Sequence, residues 1–343
     1  MTECAPVVSV VIATFNSARY VEAAVSSVLR QSLQSIEVIV VDDCSSDDTV
    51  AIVKKHRCRD DRVRLAQLER NAGPATARNR GIELARGQWL AILDSDDLFA
   101  PDRLHALVNI AEREKADIIA DNLVVFSGGK APRATFFLDP ATPSDPLDLL
   151  SYLEGTVLYG GGADYGYLKP VIRLAALRRA NLQYNPALRI AEDDDFVVRM
   201  LLAGMRYWLE PTPSYFYRRH EESTSHRLSA VNAAAMFGAA QNLSKLAQST
   251  CPKNVSAAFS RREAAMLRAA DFAELVDVLK ARRFAAAVAI ALRNPNSLPL
   301  LRMPIQAALQ RLRPGSMPRT LSDEDPEARA ALQSVSQMLK SRA

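Results

Sequence analysis

The sequence has no apolar run long enough to cross a bilayer. Its longest useful one near the C-terminus, Phe284 to Leu292, has nine residues, where a spanning helix needs about 20. The four cysteines (Cys4, Cys44, Cys58 and Cys251) form no C-x-x-C pair. That argues against a zinc site or a disulfide framework and fits a reducing compartment. No charged n-region and apolar h-region precede the first apolar segment, so no secretory signal is expected. Neither G-x-x-x-x-G-K-[ST] nor G-x-G-x-x-G after a strand occurs, which removes the P-loop and the dinucleotide fingerprint. No segment repeats at a fixed period. The expected setting is the cytoplasm.

What is present is ordinary in bulk and uneven in detail. Hydrophobic residues make up 48% and charged residues 24%, as in a globular protein of one large or two modest domains. The net charge of +4 hides an asymmetry. Residues 1–250 carry 28 Lys/Arg against 31 Asp/Glu, and residues 251–343 carry 15 against 8. Between 280 and 319 there are eight basic residues and no acidic one. The two parts are expected to do different jobs, with a boundary at 228/229.

Apolar patterning gives the order of elements. Val7 to Ala13, Ile36 to Val41, Val63 to Leu68, Trp89 to Leu93 and Asp117 to Phe126 read as buried strands. Ser17 to Arg30, a segment capped by Asp47 or Asp48 and running through Lys55, Pro74 to Ala85 and Pro101 to Glu114 read as the helices between them. This alternation predicts an α/β fold with a mainly parallel, twisted sheet flanked by helices. Gly128 to Pro146 is loop-like, and Gly160-Gly161-Gly162 marks a flexible segment. Glu192 to Ala203 reads as a helix, and Tyr207 to Leu209 and Ser214 to Arg218 as strands. Beyond Ser229 the periodic segments are helical, and from Pro314 the chain is expected to be loose.

Ligands of such sheets bind at the carboxyl ends of the strands. Asn16, Asp42-Asp43, Asn71 and Asp94-Ser95-Asp96-Asp97 all fall there. Three carboxylates within four residues need a counter-charge, and a divalent metal carrying a diphosphate would supply it. The plainer role for such an acidic turn is capping the helix near Pro101. Asp43 could accept from a base N–H or cap the next helix. Arg78 could pair with phosphate, with a carboxylate or with water. Four consecutive acids, Glu192 to Asp195, repel one another, and at least one pKa is expected to rise. Cys44 has no histidine in its motif to activate it and is expected to be a small buried packing residue.

The order of motifs resembles family 2 glycosyltransferases. Val8-Ser9-Val10-Val11-Ile12-Ala13-Thr14-Phe15-Asn16 is similar to their opening strand, and Val40-Val41-Asp42-Asp43-Cys44-Ser45-Ser46-Asp47 to their nucleotide motif. Asn71-Ala72-Gly73-Pro74-Ala75-Thr76-Ala77-Arg78-Asn79-Arg80-Gly81 resembles their N-x-G-x-x-x-A-R-N-x-G segment. Asp94-Ser95-Asp96-Asp97 resembles their D-x-D motif, Glu192-Asp193 their acceptor-side E-D motif, and Tyr217-Arg218-Arg219-His220, with Ser223 and Ser225 behind, the segment that closes the domain. The likeness covers residues 7–225 and not the helical tail.

The resemblance implies a GT-A fold over 1–228 with a basic helical extension over 229–343. It implies Thr14, Asn16, Asp43, Arg78, Asp94, Asp96, Arg219 and His220 as contacts of a UDP-sugar. Asp96 and Asp97 become the ligands of Mg²⁺ or Mn²⁺, Glu192 and Asp193 the acceptor side, and Asp193 the catalytic base of an inverting transfer. Spacing alone leaves open which carboxylate touches the ion. The Q-x-x-R-W motif of processive synthases is absent, so a single transfer is expected. The chain further resembles bacterial transferases that build exopolysaccharide such as succinoglycan on a polyprenyl-diphosphate lipid, which implies glucose as donor sugar and a polyprenyl-diphosphate-linked saccharide as acceptor. The basic tail is expected to contact an anionic membrane peripherally or to pack as a soluble extension. Two other classes remain, a sugar nucleotidyltransferase and a non-catalytic nucleotide-sugar-binding module. The first lacks its glycine-rich loop at Thr14-Phe15-Asn16-Ser17, and carboxylates at both metal and base positions speak against the second. The tail lacks the interleaved aromatics that nucleic-acid binding would need.

Overall fold

The computed structural model describes residues 5–127, 135–136, 138–139, 143–156, 164–220 and 228–301. The expectations for Gly160-Gly161-Gly162, for Ser223 and Ser225, and for everything beyond Leu301 lie outside the described residues. Those described fall into two compact units, one within 5–220 and one within 228–301.

The first unit opens with β1 (Val8–Thr14), α1 (Val21–Leu29), β2 (Ile36–Asp42), α2 (Thr49–Arg59), β3 (Val63–Gln67), α3 (Pro74–Leu84) and β4 (Trp89–Asp94). It continues through β5 (Leu98–Phe99), α4 (Arg103–Arg113), β6 (Ile118–Ser127), β7 (Thr135–Phe136), β8 (Asp145–Pro146), α5 (Leu149–Gly155), β9 (Val171–Arg173), α6 (Leu174–Arg179), α7 (Glu192–Leu202) and β10 (Tyr207–Arg219). All seven residues of β2 are buried, so its sequence does not alternate: five are apolar, and Glu37 and Asp42 are buried with them.

The strands form one sheet in the order β3-β2-β1-β4-β9-β6-β10-β5, with β7 beside β6 and β8 beside β10. β1, β2, β3 and β4 pair in parallel, as do β6 and β10. β9 is antiparallel to both β4 and β6, and β5, β7 and β8 also pair antiparallel. The sheet is therefore mainly parallel, as expected, and mixed only through these short antiparallel strands. The sequence hid this because each antiparallel insertion is only two or three residues long, too short for a period to register. Tyr207 to Arg219 is one strand, not two, with register shifts around Pro213.

Register fixes what shares an edge. Thr14 lies opposite Asp42, and Ala13 opposite Asp94, so the carboxyl ends of β1, β2 and β4 form one line. α3 lies close against β1 because Gly81 has no side chain: a Cβ there would sit 2.3 Å from Val11 Cγ1. Arg78, three residues earlier on the same helix face, is thereby brought to that edge.

The second unit consists of α8 (Ala230–Thr250), α9 (Lys253–Lys280) and α10 (Phe284–Arg293), followed by a short 3₁₀ segment. α10 buries Ala287 and Ile290 against Leu275, Val278 and Leu279 of α9. Arg293 pairs with Asp271 and Glu274.

Candidate active site

The loops after β1 and β2 brace one another. Asn16, at φ 49°, accepts from the Ser46 amide at 2.8 Å, and its own amide donates to Ser45 Oγ at 2.9 Å. The buried Thr14 hydroxyl donates to Asp42 Oδ1 at 3.2 Å. Asp43 is 3% exposed and accepts from the backbone amides of Ala72 and Gly73 at 2.7 and 2.8 Å. Gly73 takes φ 93° there, which glycine allows without strain. Asp43 thus fixes the loop that launches α3. Cys44 is not buried as expected: it is exposed at φ 64°, because the turn between Asp43 and Ser45 lifts it off the sheet.

Arg78 stands at the centre of the edge. Its guanidinium is 5% exposed and lies 2.7 Å from Asp94, 2.5 Å from Glu192 and 3.5 Å from Asp193. Of the pairings open to it, the one seen is with carboxylates, three of which surround it. Lys169 completes the group, with Nζ 2.8 Å from Asp94 Oδ2 and 2.5 Å from Asp193 Oδ2. Two cations thus face three carboxylates. Burial works to raise the pKa of Asp94, but Lys169 and Arg78 outweigh it and hold this carboxyl well below the usual range. At Asp193 burial again acts upward, and Arg78 and Lys169 again win, so its pKa is lowered. Repulsion along Glu192 to Asp195 therefore does not govern Asp193. Helical rotation of about 100° per residue sends these neighbours to different partners: Glu192 to Arg78, Asp193 to Lys169, Asp194 to Tyr152 and Asp195 to Arg199.

The acidic turn after β4 divides in two. Asp96 Oδ2 lies 2.7 Å from His220 Nε2, and the His220 ring packs on Tyr20 with centroids 5.0 Å apart. Asp97, expected at the metal, is 1% exposed. It accepts from the Tyr215 hydroxyl at 2.8 Å and the Arg218 amide at 2.7 Å. Burial, and after it the charges of Asp96 and Asp94, push its carboxyl well above the ordinary value. A carboxyl so enclosed braces the turn against β10. Arg218 Nε holds the Asp96 carbonyl at 2.8 Å, and its guanidinium lies over Phe126 and Tyr20. Arg219, the last residue of β10, is exposed.

Among the described residues, no three His, Cys, Asp or Glu side chains cluster as a complete metal cage. The hydrogen-bonded Asp96 and His220 bring one carboxylate and one imidazole to this edge. The Asp96 oxygens are the hard donors that Mg²⁺ or Mn²⁺ takes beside phosphate and water, and the imidazole is a softer donor.

Sequence reasoning missed Lys169, Tyr215 and Tyr184. Tyr184 stacks on Phe196 at 4.1 Å and faces the Arg78 guanidinium at 5.4 Å. Burial, and then the charge of Asp193, raise its phenol pKa. For Lys169 only its place ahead of the apolar Val171-Ile172 pair hinted at a strand end.

A sequence model of the family described as "Glycosyl transferase family 2" matches residues 9–143. The succinoglycan biosynthesis protein ExoO of Rhizobium meliloti (strain 1021) is 38% identical over 308 residues, which are 90% of this chain and 87% of that protein. The succinoglycan biosynthesis protein ExoU of the same organism is 31% identical over 325 residues, 93% of each. Among solved structures, S. aureus TarS 1-349 in complex with UDP-GlcNAc aligns with a TM-score of 0.57 at 23% identity, covering 69% of this chain and 66% of that one. The architecture is the GT-A fold.

Proposed function

The chain belongs to glycosyl transferase family 2, and on that premise we propose that it moves one sugar, glucose, from a UDP-sugar to a polyprenyl-diphosphate-linked saccharide with inversion, in the assembly of a surface polysaccharide. The observation that carries this reading is Asp193, held ionised beside the strand-end line that bears Asp94 and Asp96. The place of ExoO and ExoU in succinoglycan biosynthesis supports the pathway, and the UDP-GlcNAc complex of TarS supports a UDP-sugar donor. Residues 1–228 are the proposed catalytic domain and 229–343 the extension.

The reaction is a single displacement. An acceptor hydroxyl gives its proton to an Asp193 oxygen as its own oxygen bonds the anomeric carbon. The bond from that carbon to the diphosphate oxygen breaks, and its electron pair leaves with UDP. Attack from the face opposite the leaving group inverts the centre. Asp96 and His220 are the proposed holders of Mg²⁺ or Mn²⁺, which would supply positive charge against the departing diphosphate. Thr14, Asn16 and Asp43 frame the nucleotide end, and Arg219 lies exposed at the rim.

UDP release over a panel of nucleotide sugars tests both donor and metal. Chelation should abolish release, Mn²⁺ or Mg²⁺ should restore it, and His220→Ala should need at least about 10-fold more metal. Full activity in chelator would sink the metal assignment, and no release from any UDP-sugar would sink the donor.

Among the described residues, no helix is long and apolar enough to cross a membrane. α10 nonetheless exposes Phe284, Val288 and Leu292, one helical turn apart, with Lys280, Arg282 and Arg283 beside its start. An apolar stripe next to cations suits the surface of an anionic leaflet, where a lipid-linked acceptor would lie. A Phe284→Ser, Val288→Ser, Leu292→Ser triple variant should stop sedimenting with phosphatidylglycerol vesicles while still releasing UDP. Unchanged sedimentation would count against this contact.

A further inference from the structure

We propose that Lys169 is a positioning residue: it holds the Asp193 carboxylate in place for the acceptor hydroxyl and ties it to Asp94 on the donor side. This rests on the reading of Asp193 as the base.

The fold places this lysine deliberately. β9 runs antiparallel to β4, with Ala91 opposite Val171. The start of β9 therefore lies beside the middle of β4, and in an antiparallel pairing the residues just ahead of that start lie toward the carboxyl end of β4. Lys169 sits just ahead of that start. Its backbone is anchored from below: Arg103 Nη2 donates to the Lys169 carbonyl at 2.6 Å. Arg103 is itself fixed by Asp121 at 2.6 Å, and Asp121 accepts from Ser214 Oγ at 2.5 Å. Arg103 and Asp121 are fully buried, so this anchor has little freedom. The Lys169 side chain is 9% exposed and its ammonium ends between two carboxylates.

Removing it leaves Asp94 and Asp193 facing each other with Arg78 as the remaining nearby cation. The carboxylate of Asp193 then turns away from Asp94, and its oxygen leaves the line of attack. Arg78 cannot substitute, since it reaches Asp193 only at 3.5 Å and is engaged by Asp94 and Glu192.

The test compares Lys169→Met, Lys169→Arg and Asp193→Asn by kcat, donor KM, UDP affinity and the pH profile of kcat. Lys169→Met is expected to lower kcat by about 10- to 100-fold with donor KM within a few-fold. Its acid limb should move to higher pH. The groups facing Asp193 are Arg78 from α3, Lys169 ahead of β9, Asp94 from β4, Tyr184 after α6 and Glu192 on α7, so losing one of two cations makes Asp193 easier to protonate. Lys169→Arg should recover part of kcat and return the limb toward the parent. If the methionine variant does not fold, Lys169→Gln keeps a hydrogen-bond donor without the charge and carries the same expectation. A folded neutral variant with parental kcat, or with an unmoved acid limb, overturns the proposal. Normal turnover by Asp193→Asn would instead overturn the base assignment.

Discussion

Asp193→Asn should reduce transfer by about 10²- to 10⁴-fold while UDP-sugar affinity stays within a few-fold. Asparagine keeps the volume and one carbonyl oxygen, so the Lys169 ammonium still has an acceptor. What disappears is the basic oxygen that would take the acceptor proton. Asp193 lies on α7, apart from the Asp96–His220 pair of the proposed donor end, so nucleotide binding is spared. A lowered pKa is compatible with this role, because the attacking hydroxyl becomes acidic as it bonds an oxocarbenium-like carbon. It also keeps the base ionised through the neutral range. Quantifying labelled product together with UDP binding by calorimetry checks the expectation. Normal product formation would remove Asp193 from the mechanism.

Arg78→Met is expected to damage the fold as well as the reaction. The variant leaves Asp94 and Asp193 to Lys169 and strips Glu192 of its Arg78 partner, and uncompensated buried charge of this kind costs about 3–5 kcal/mol. For a unit of this size the melting temperature should fall by roughly 6–20 °C. The pH dependence follows from the shifted carboxyls. Asp94 and Asp193 titrate below their ordinary value in the folded protein. Their stabilisation is therefore complete above the unfolded pKa of about 4, and is lost as pH falls through the lower folded values. Without Arg78 those folded values rise, so mild acid should relieve part of the variant's instability instead of adding to it. Thermal melts from pH 4 to 7.5 distinguish the two slopes, and an unchanged melting temperature at pH 7 would contradict the central place given to Arg78.

The parallel half of the sheet was legible because β1, β2 and β4 are buried on both faces and separated by helices with ordinary spacing. The antiparallel β9 was not, since three residues carry no period and their role depends on slotting between strands about 80 and about 50 residues earlier in the chain. The same distance explains the site. Asp94, Asp96 and Asp193 stood out as carboxylates in motifs. Lys169 did not, because nothing local separates Tyr167-Leu168-Lys169-Pro170 from a solvated loop, and its meaning comes from carboxylates on β4 and α7. The difference between Asp96 and Asp97 likewise depends on Tyr215 and Arg218 of β10. Adjacent residues in a turn give no rule for which one faces inward.

The span between Asp96 and His220 bears on how the protein is made. These partners are 124 residues apart, so at about 5–20 residues per second the ribosome needs roughly 6–25 s to deliver the second after the first. During that interval Arg78 is the first cation available to the acidic edge, Lys169 emerges next, then Glu192 and Asp193, and the histidine last. On the proposed assignment, chemical competence waits for residue 220 of the 343. A nascent chain ending after β4 would hold the loops of the proposed nucleotide frame but neither the proposed base Asp193 nor His220, so on that assignment it could not carry out transfer.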